Sequence, residues 1–208
     1  MPRPSNTDER RSQIVTGLIQ VMAKRGYDGA SVQQIAKAAK LTPGLVHYHF
    51  ANKQQILLAA LDELVARHQE GLDAHLALAG DHPPAQVAAF LDYHLGLGAT
   101  ADPDALACWI LLSGEALRQE AVREPLEHAL AEIEGKLASL LVAGHADFGP
   151  IDPPAAAAAL VATIQGYFVL AAVSRDLVPA GSALAAARKM AEGLLGTTLP
   201  EAPSEAGR

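Results

Sequence analysis

Cysteine is almost missing: Cys108 is the single one in 208 residues, so an internal disulfide framework is excluded and a reducing cytoplasm is the setting the chain suits. Aromatic residues make up only 4%. β-Branched and aromatic residues rarely alternate with polar ones, so the period-two signal of a half-buried strand is absent. No fixed period recurs, which argues against a solenoid. There is no H-E-x-x-H, phosphate loop or Ser/His/Asp motif, so enzyme chemistry has no constellation to build on. The opening MPRPSNTDERR carries charge without the apolar run of a secretory signal, and no stretch reads as the roughly 20 apolar residues that span a bilayer. A cytoplasmic chain without membrane contact is therefore expected, with Cys108 in its core.

What the chain does have is Ala, Leu, Gln and Glu at helical spacing over long stretches, the pattern of an all-α protein. Its length is ample for a buried core. Charge is unevenly divided. Residues 1–60 hold eight basic against three acidic residues, a net of +5, and the total of −7 leaves −12 for the remainder. A basic end on an acidic body suits a protein that presents one end to phosphate and keeps the other away from it.

The first helix reads from about Asp8 to Arg25, with Thr7 as N-cap, an apolar stripe of Ile14, Leu18, Val21 and Met22, and Gly26 as its stop. Ser31 and Gln34 form a capping box that opens a short helix to about Ala39. Thr42 and Pro43 supply the next N-cap and N1 residues, for a second short helix through about His49. Asn52 and Gln55 repeat the box and launch a long helix that links the halves of the chain. Beyond His82-Pro83-Pro84, helices are expected near 84–99, 103–119, 122–145, 153–175 and 182–195, with Asp102-Pro103 and Asp152-Pro153 as start signals. The expected organisation is a three-helix helix-turn-helix domain over 1–51, a helical ligand-binding and dimerisation domain over 52–196 and a disordered tail over 197–208, with about nine helices in all.

Two short helices joined by a tight turn form the unit that sends a recognition helix into the major groove. Val46 and Phe50 can anchor that helix inward on Ile14, Ile35 and Ala36. That leaves Thr42, Pro43, Gly44, Leu45, His47, Tyr48 and His49 partly available outside. Gly44 allows close backbone approach, His47 and Tyr48 can donate hydrogen bonds, and Lys53 offers a point charge for the DNA backbone. Ser31 and Gln33 can add phosphate contacts. His47 and His49 lie two apart on a helix and point in different directions, so a metal site is not read there; His49 is read as structural. For Arg10 and Arg11, simple solvation and a role at DNA stay equally open.

The stretch Gly26 to Leu57, GYDGASVQQIAKAAKLTPGLVHYHFANKQQIL, resembles the DNA-binding domain of the tetracycline-repressor (TetR) family, and the resemblance covers about the first 60 residues. It implies that Ser31, Thr42, Pro43, Gly44, His47, Tyr48 and Lys53 lie at the DNA face and that repression is relieved by a ligand. Lys40 stands where the family usually has a turn glycine. A non-glycine residue there costs on the order of 1 kcal/mol, which a phosphate contact from Lys40 could offset. The Gly-Leu-Val-His-Tyr context is similar to the betaine-regulatory branch, and Cys108-Trp109 through Glu124 is diffusely so.

In the C-terminal half the rare aromatics cluster: Phe90, Tyr93 and His94 on one helix, Cys108 and Trp109 on the next, Tyr167 and Phe168 on a later one. Ordinary core and ligand lining both remain open for them, with Glu115, Arg118 and Gln165 as candidate polar groups. The Ala-rich last helices are too apolar all round for a half-exposed position, so a partner subunit is expected at Ala157, Ile164, Phe168, Ala171, Ala172, Ala187 and Met190.

The reading is a homodimeric repressor, not an enzyme. It binds double-stranded DNA at a pseudopalindromic operator and is released by a small-molecule effector, with no cofactor and no metal. A helical ligand-binding protein or enzyme with a scaffold-only N-terminus is the alternative, and a DNA binder without an effector is a third.

Overall fold

The computed structural model describes residues 6–96, 103–144, 152–174, 177–179 and 181–201. The described residues form nine α-helices and no strand. They are α1 (Asn6–Arg25), α2 (Val32–Ala38), α3 (Pro43–His49), α4 (Lys53–Leu78), α5 (Pro83–Leu95), α6 (Pro103–Ala116), α7 (Glu120–Gly144), α8 (Pro153–Val173) and α9 (Ser182–Leu195). Boundaries agree with the start and stop signals to within a few residues. α1 begins at Asn6, so Thr7 lies inside it rather than capping it. Gly26 ends it at φ 70°, a left-handed conformation glycine adopts without a Cβ penalty. Asp152 stands at the N-cap of α8, yet its side chain makes no capping hydrogen bond; Asp102 lies outside the described residues.

The chain divides into two compact units. The first comprises Met1–Arg67 and Asp102–Glu127, so α6 joins the N-terminal helices. Its core is built from Ile14, Leu18, Met22, Ile35, Val46, Phe50, Ile56 and Leu57, all fully or nearly fully buried. Gly17 permits the close crossing of α1 and α2: a Cβ there would stand 2.8 Å from the Ile35 carbonyl oxygen. Cys108 on α6 is buried, as expected, with its thiol 3.5 Å from the Ile19 carbonyl oxygen of α1.

The second unit comprises His68–Ala101 and His128–Arg208. Leu72, Leu76, Phe90, Leu137, Leu141, Leu160 and Leu195 fill its core. Three expectations change here. Ala157, Ile164 and Ala187 are buried within the subunit itself, because the Ala-lined faces of α8 and α9 fill their own core, and they cannot also face a partner. The residues of that group left outward are Ala171, Ala172 and Met190, with Phe168 half-buried; Val169, Leu170 and Val173 of α8 are exposed as well. Next, α8 is by length and composition apolar enough to cross a membrane, with 22% of its most apolar window buried, contrary to the expectation that no such segment exists. Its interruption by Thr163, Gln165 and Gly166 hid the run. Finally, the chain stays packed beyond Thr197 as far as it is described: Leu199 is buried, its N–H donates to Glu192 Oε1 at 3.0 Å, and Arg188 donates to the carbonyls of Leu199 and Pro200. The remainder of the tail, 202–208, lies outside the described residues.

Candidate nucleic-acid interface

Local sequence sets the frame of α2 and α3. Ser31 Oγ accepts the Gln34 N–H at 3.3 Å while Gln34 Oε1 accepts the Ser31 N–H at 2.9 Å, completing the capping box. At the other end of α2 the Leu41 N–H donates to Ala36 O and the Lys40 N–H to Lys37 O, at 2.9 and 3.2 Å. This is the Schellman arrangement, whose left-handed residue is usually glycine. Lys40 fills it at φ 57°, the one non-glycine residue with positive φ among the described residues. Thr42 Oγ1 then accepts the Leu45 N–H at 3.3 Å, and Pro43 opens α3 at a position where no N–H is needed.

Val46 and Phe50 sit at 1% and 2% exposure and pin α3 to the core. The opposite face is open. Thr42, Pro43, Gly44 and His47 are exposed and Leu45 is half-buried, while Tyr48 is 80% exposed. Nothing lies within 4 Å of where a Gly44 Cβ would be, so its bareness serves no internal packing. Ser31, Gln33 and Lys40 are exposed as well.

Two cations beside α3 are held in a way the sequence did not signal. Lys53 Nζ donates to the Tyr27 carbonyl at 2.9 Å and lies 4.1 Å from the centre of the Tyr27 ring. Its charge is therefore fixed rather than free to roam, with further N–H donors remaining. Burial, reinforced by Glu115 and then Asp28, raises the Tyr27 phenol above its ordinary value, so the ring beside Lys53 stays neutral. Arg11 donates to the His49 carbonyl at 2.7 Å and lies 4.1 Å over the Phe50 ring. Of the box expected at Asn52 and Gln55 one half forms, the Gln55 N–H reaching Asn52 Oδ1 at 2.9 Å, while Gln55 Oε1 takes the Ala51 N–H at 3.0 Å instead of that of Asn52.

A helix-turn-helix with an anchored inner face and an open polar outer face is thus in place. The chain matches the model of bacterial regulatory proteins of the tetR family over residues 14–60, and that of the BetI-type transcriptional repressor C-terminal domain over 97–196. It belongs to the TetR family. Members of the family are transcriptional regulators, not enzymes, and this chain lies near its BetI branch. The HTH-type transcriptional regulator BetI of Rhizobium meliloti is 28% identical over 126 residues, a match spanning 61% of each chain and so less than two thirds of that relative. BetI of Brucella suis is 24% identical over 187 residues, 89% of this chain and 91% of that one. A transcriptional regulator from Rhodococcus sp. Rha1 has a TM-score of 0.76 at 25% identity, covering 89% of this chain and 96% of its own. One from Saccharomonospora viridis, solved in complex with choline, has 0.76 at 20% identity, over 91% and 96%.

The residues expected to bind a ligand in this TetR-family chain fall in both units. Cys108, Trp109, Glu115 and Arg118 belong to the first, where the buried Glu115 carboxylate accepts from Arg118 at 2.5 Å and from Gln119 at 2.6 Å. Phe90, Tyr93, His94, Gln165, Tyr167 and Phe168 belong to the second. There Phe90, Tyr93 and His94 meet two histidines that sequence reasoning did not single out as site residues. His94 Nδ1–H donates to the Phe90 carbonyl at 2.7 Å, which leaves Nε2 as the acceptor for His68 Nε2–H at 3.0 Å. Tyr93 OH donates to the His68 carbonyl at 3.0 Å, and His75 pairs with Asp92 at 3.2 Å. Burial holds His68 down at about 4; burial, with His68 adding to it, takes His94 to about 3. Both imidazoles are therefore neutral at ordinary pH. Among the described residues no group of three or more His, Cys, Asp or Glu is arranged to hold a metal ion.

Proposed function

We propose that the protein acts in the cytoplasm as a homodimeric repressor whose two α3 helices read half-sites about one DNA turn, roughly 34 Å, apart, and that a small molecule releases it. The observation that carries this reading is the outer face of α3, with Tyr48 80% exposed over a buried Val46 and Phe50. Ser31, Gln33, Lys40, Thr42, Pro43, Gly44, Leu45, His47, Tyr48 and Lys53 are assigned to DNA. Polar groups with helix N-terminal N–H donors contact phosphate, and the α3 side chains probe base edges.

Dimerisation is assigned to the exposed apolar surface of α8 and α9, from Phe168 to Val173 with Met190. A second copy laid on that surface accounts for an α8 that is apolar all round without invoking a bilayer, and two helices from each subunit make a four-helix interface. The effector is assigned to the aromatic and imidazole groups of the second unit, around Phe90, Tyr93 and His94. Choline, held by the Saccharomonospora viridis neighbour, is the first compound to test, because aromatic faces attract quaternary ammonium groups. A coupling of about 1–3 kcal/mol between effector and operator would weaken DNA binding some 5–150-fold.

The test is fluorescence anisotropy with duplexes selected by the protein from a random library. Affinity for the selected inverted repeat should fall steeply as salt rises, since each neutralised phosphate contributes about −0.9 to the log–log slope. Selection of no sequence, or binding indifferent to salt, overturns the reading.

A further inference from the structure

Arg11 is exposed on α1, 38 residues from the group it holds. Its guanidinium donates to the carbonyl of His49, the last residue of α3, and stacks on Phe50, the C-cap that follows. Three physical effects converge there. The last carbonyls of a helix lack intrahelical partners, so the bond satisfies an orphan acceptor. A cation at the C-terminal end complements the helix dipole. The flat guanidinium over the ring adds a cation–π contact that an ammonium on a flexible stem does not reproduce in the same geometry.

α3 spans only seven residues, too short to hold its own axis without outside contacts. Its N-terminal end is fixed locally by Thr42, and Val46 and Phe50 bury one side. Val46 and Phe50 hold α3 against the core through side chains, and the Arg11 bond ties the backbone of the C-terminal turn, which carries the exposed His47 and Tyr48, to α1. We infer that Arg11 is a positioning residue for sequence readout: it clamps the C-terminal end of α3 to α1 and so fixes the angle at which α3 meets the bases, rather than spending its charge on phosphate.

This rests on the DNA-binding reading above, and the experiment separates the two. The full-length protein and its Arg11→Gln and Arg11→Lys variants are titrated, across a salt series, against the library-selected duplex and a scrambled duplex of the same length. Arg11→Gln should lose about tenfold in affinity for the selected duplex, with the scrambled duplex and the salt slope unchanged, and Arg11→Lys should recover only part of the loss. Circular dichroism and thermal melts confirm that each variant is folded; should Arg11→Gln fail that control, Arg11→Lys carries the comparison. Equal losses on both duplexes with a shallower salt slope would make Arg11 a phosphate contact, and unchanged binding would make it a bystander; either overturns the inference. A wild-type protein that selects no duplex removes the regulator reading itself and the inference with it.

Discussion

Lys40 carries backbone strain in the turn between α2 and α3. A Lys40→Gly substitution should raise stability by about 1 kcal/mol, because glycine enters the left-handed region without a Cβ clash. The same change should weaken duplex binding and flatten the salt slope by about one phosphate contact, and urea melts beside anisotropy titrations would register both. The reason to tolerate strain at Lys40 would then be its charge at the DNA. The buried imidazole pair gives a second test. His68 and His94 are held at about 4 and about 3 in the folded chain, while an unfolded histidine titrates near 6.5. Their neutral burial therefore contributes fully above about pH 6.5, and the contribution is lost as pH falls toward 4 and then 3, since only the unfolded chain takes up protons in that window. The double variant His68→Leu, His94→Leu should flatten the dependence of stability on pH between 6.5 and 4 by up to about two protons. An unchanged slope in urea melts at stepped pH would contradict the assigned protonation.

Between elements, the crossing of α1 and α2 depends on Gly17. A methyl group there would meet the Ile35 carbonyl oxygen at 2.8 Å and the Ala39 nitrogen at 3.1 Å, both backbone atoms that cannot swing aside. Gly17→Ala should therefore cost about 1–3 kcal/mol despite the better helix propensity of alanine; a melt that shows stabilisation instead would refute the close crossing. Ser31→Ala removes one half of a reciprocal cap and should cost about 1 kcal/mol. Because α2 carries α3, that loss should appear in duplex affinity as well. The capping box could be read directly, since both partners lie within four consecutive residues. Gly17 could not be, because nothing adjacent in sequence says which residue of another helix will lie against it.

At the scale of the whole molecule, the proposed dimer rests on the exposed apolar stretch of α8. Leu170→Glu with Val173→Glu changes side chains that are 43% and 79% exposed, so each subunit should stay folded. Sedimentation should then report a monomer in place of the dimer proposed for the wild type, and affinity for the inverted repeat should collapse toward that for a single half-site. A variant that still sediments as a dimer would put the interface elsewhere. The association of α6 with the N-terminal unit also belongs to this scale. α4 and α7 each contribute residues to both units, and these continuous helices are where an effector's influence has a covalent route.

The sequence alone determined the helices, the caps of α2 and α3 and the helix-turn-helix, because each depends on interactions within about four residues, the range over which propensity, capping and proline placement act. It also determined which side of α3 is anchored, since Val46 and Phe50 share one helical face. Only the tertiary structure decided what long-range contacts fix: the clasp of Arg11 on the end of α3, the seat of Lys53 on Tyr27, the meeting of His68 with His94, and the packing of Leu199 against α9. It decided the buried face of α8 as well. A helix apolar all round offers no periodicity from which to choose a side, so the choice falls to the shape of the core it fills.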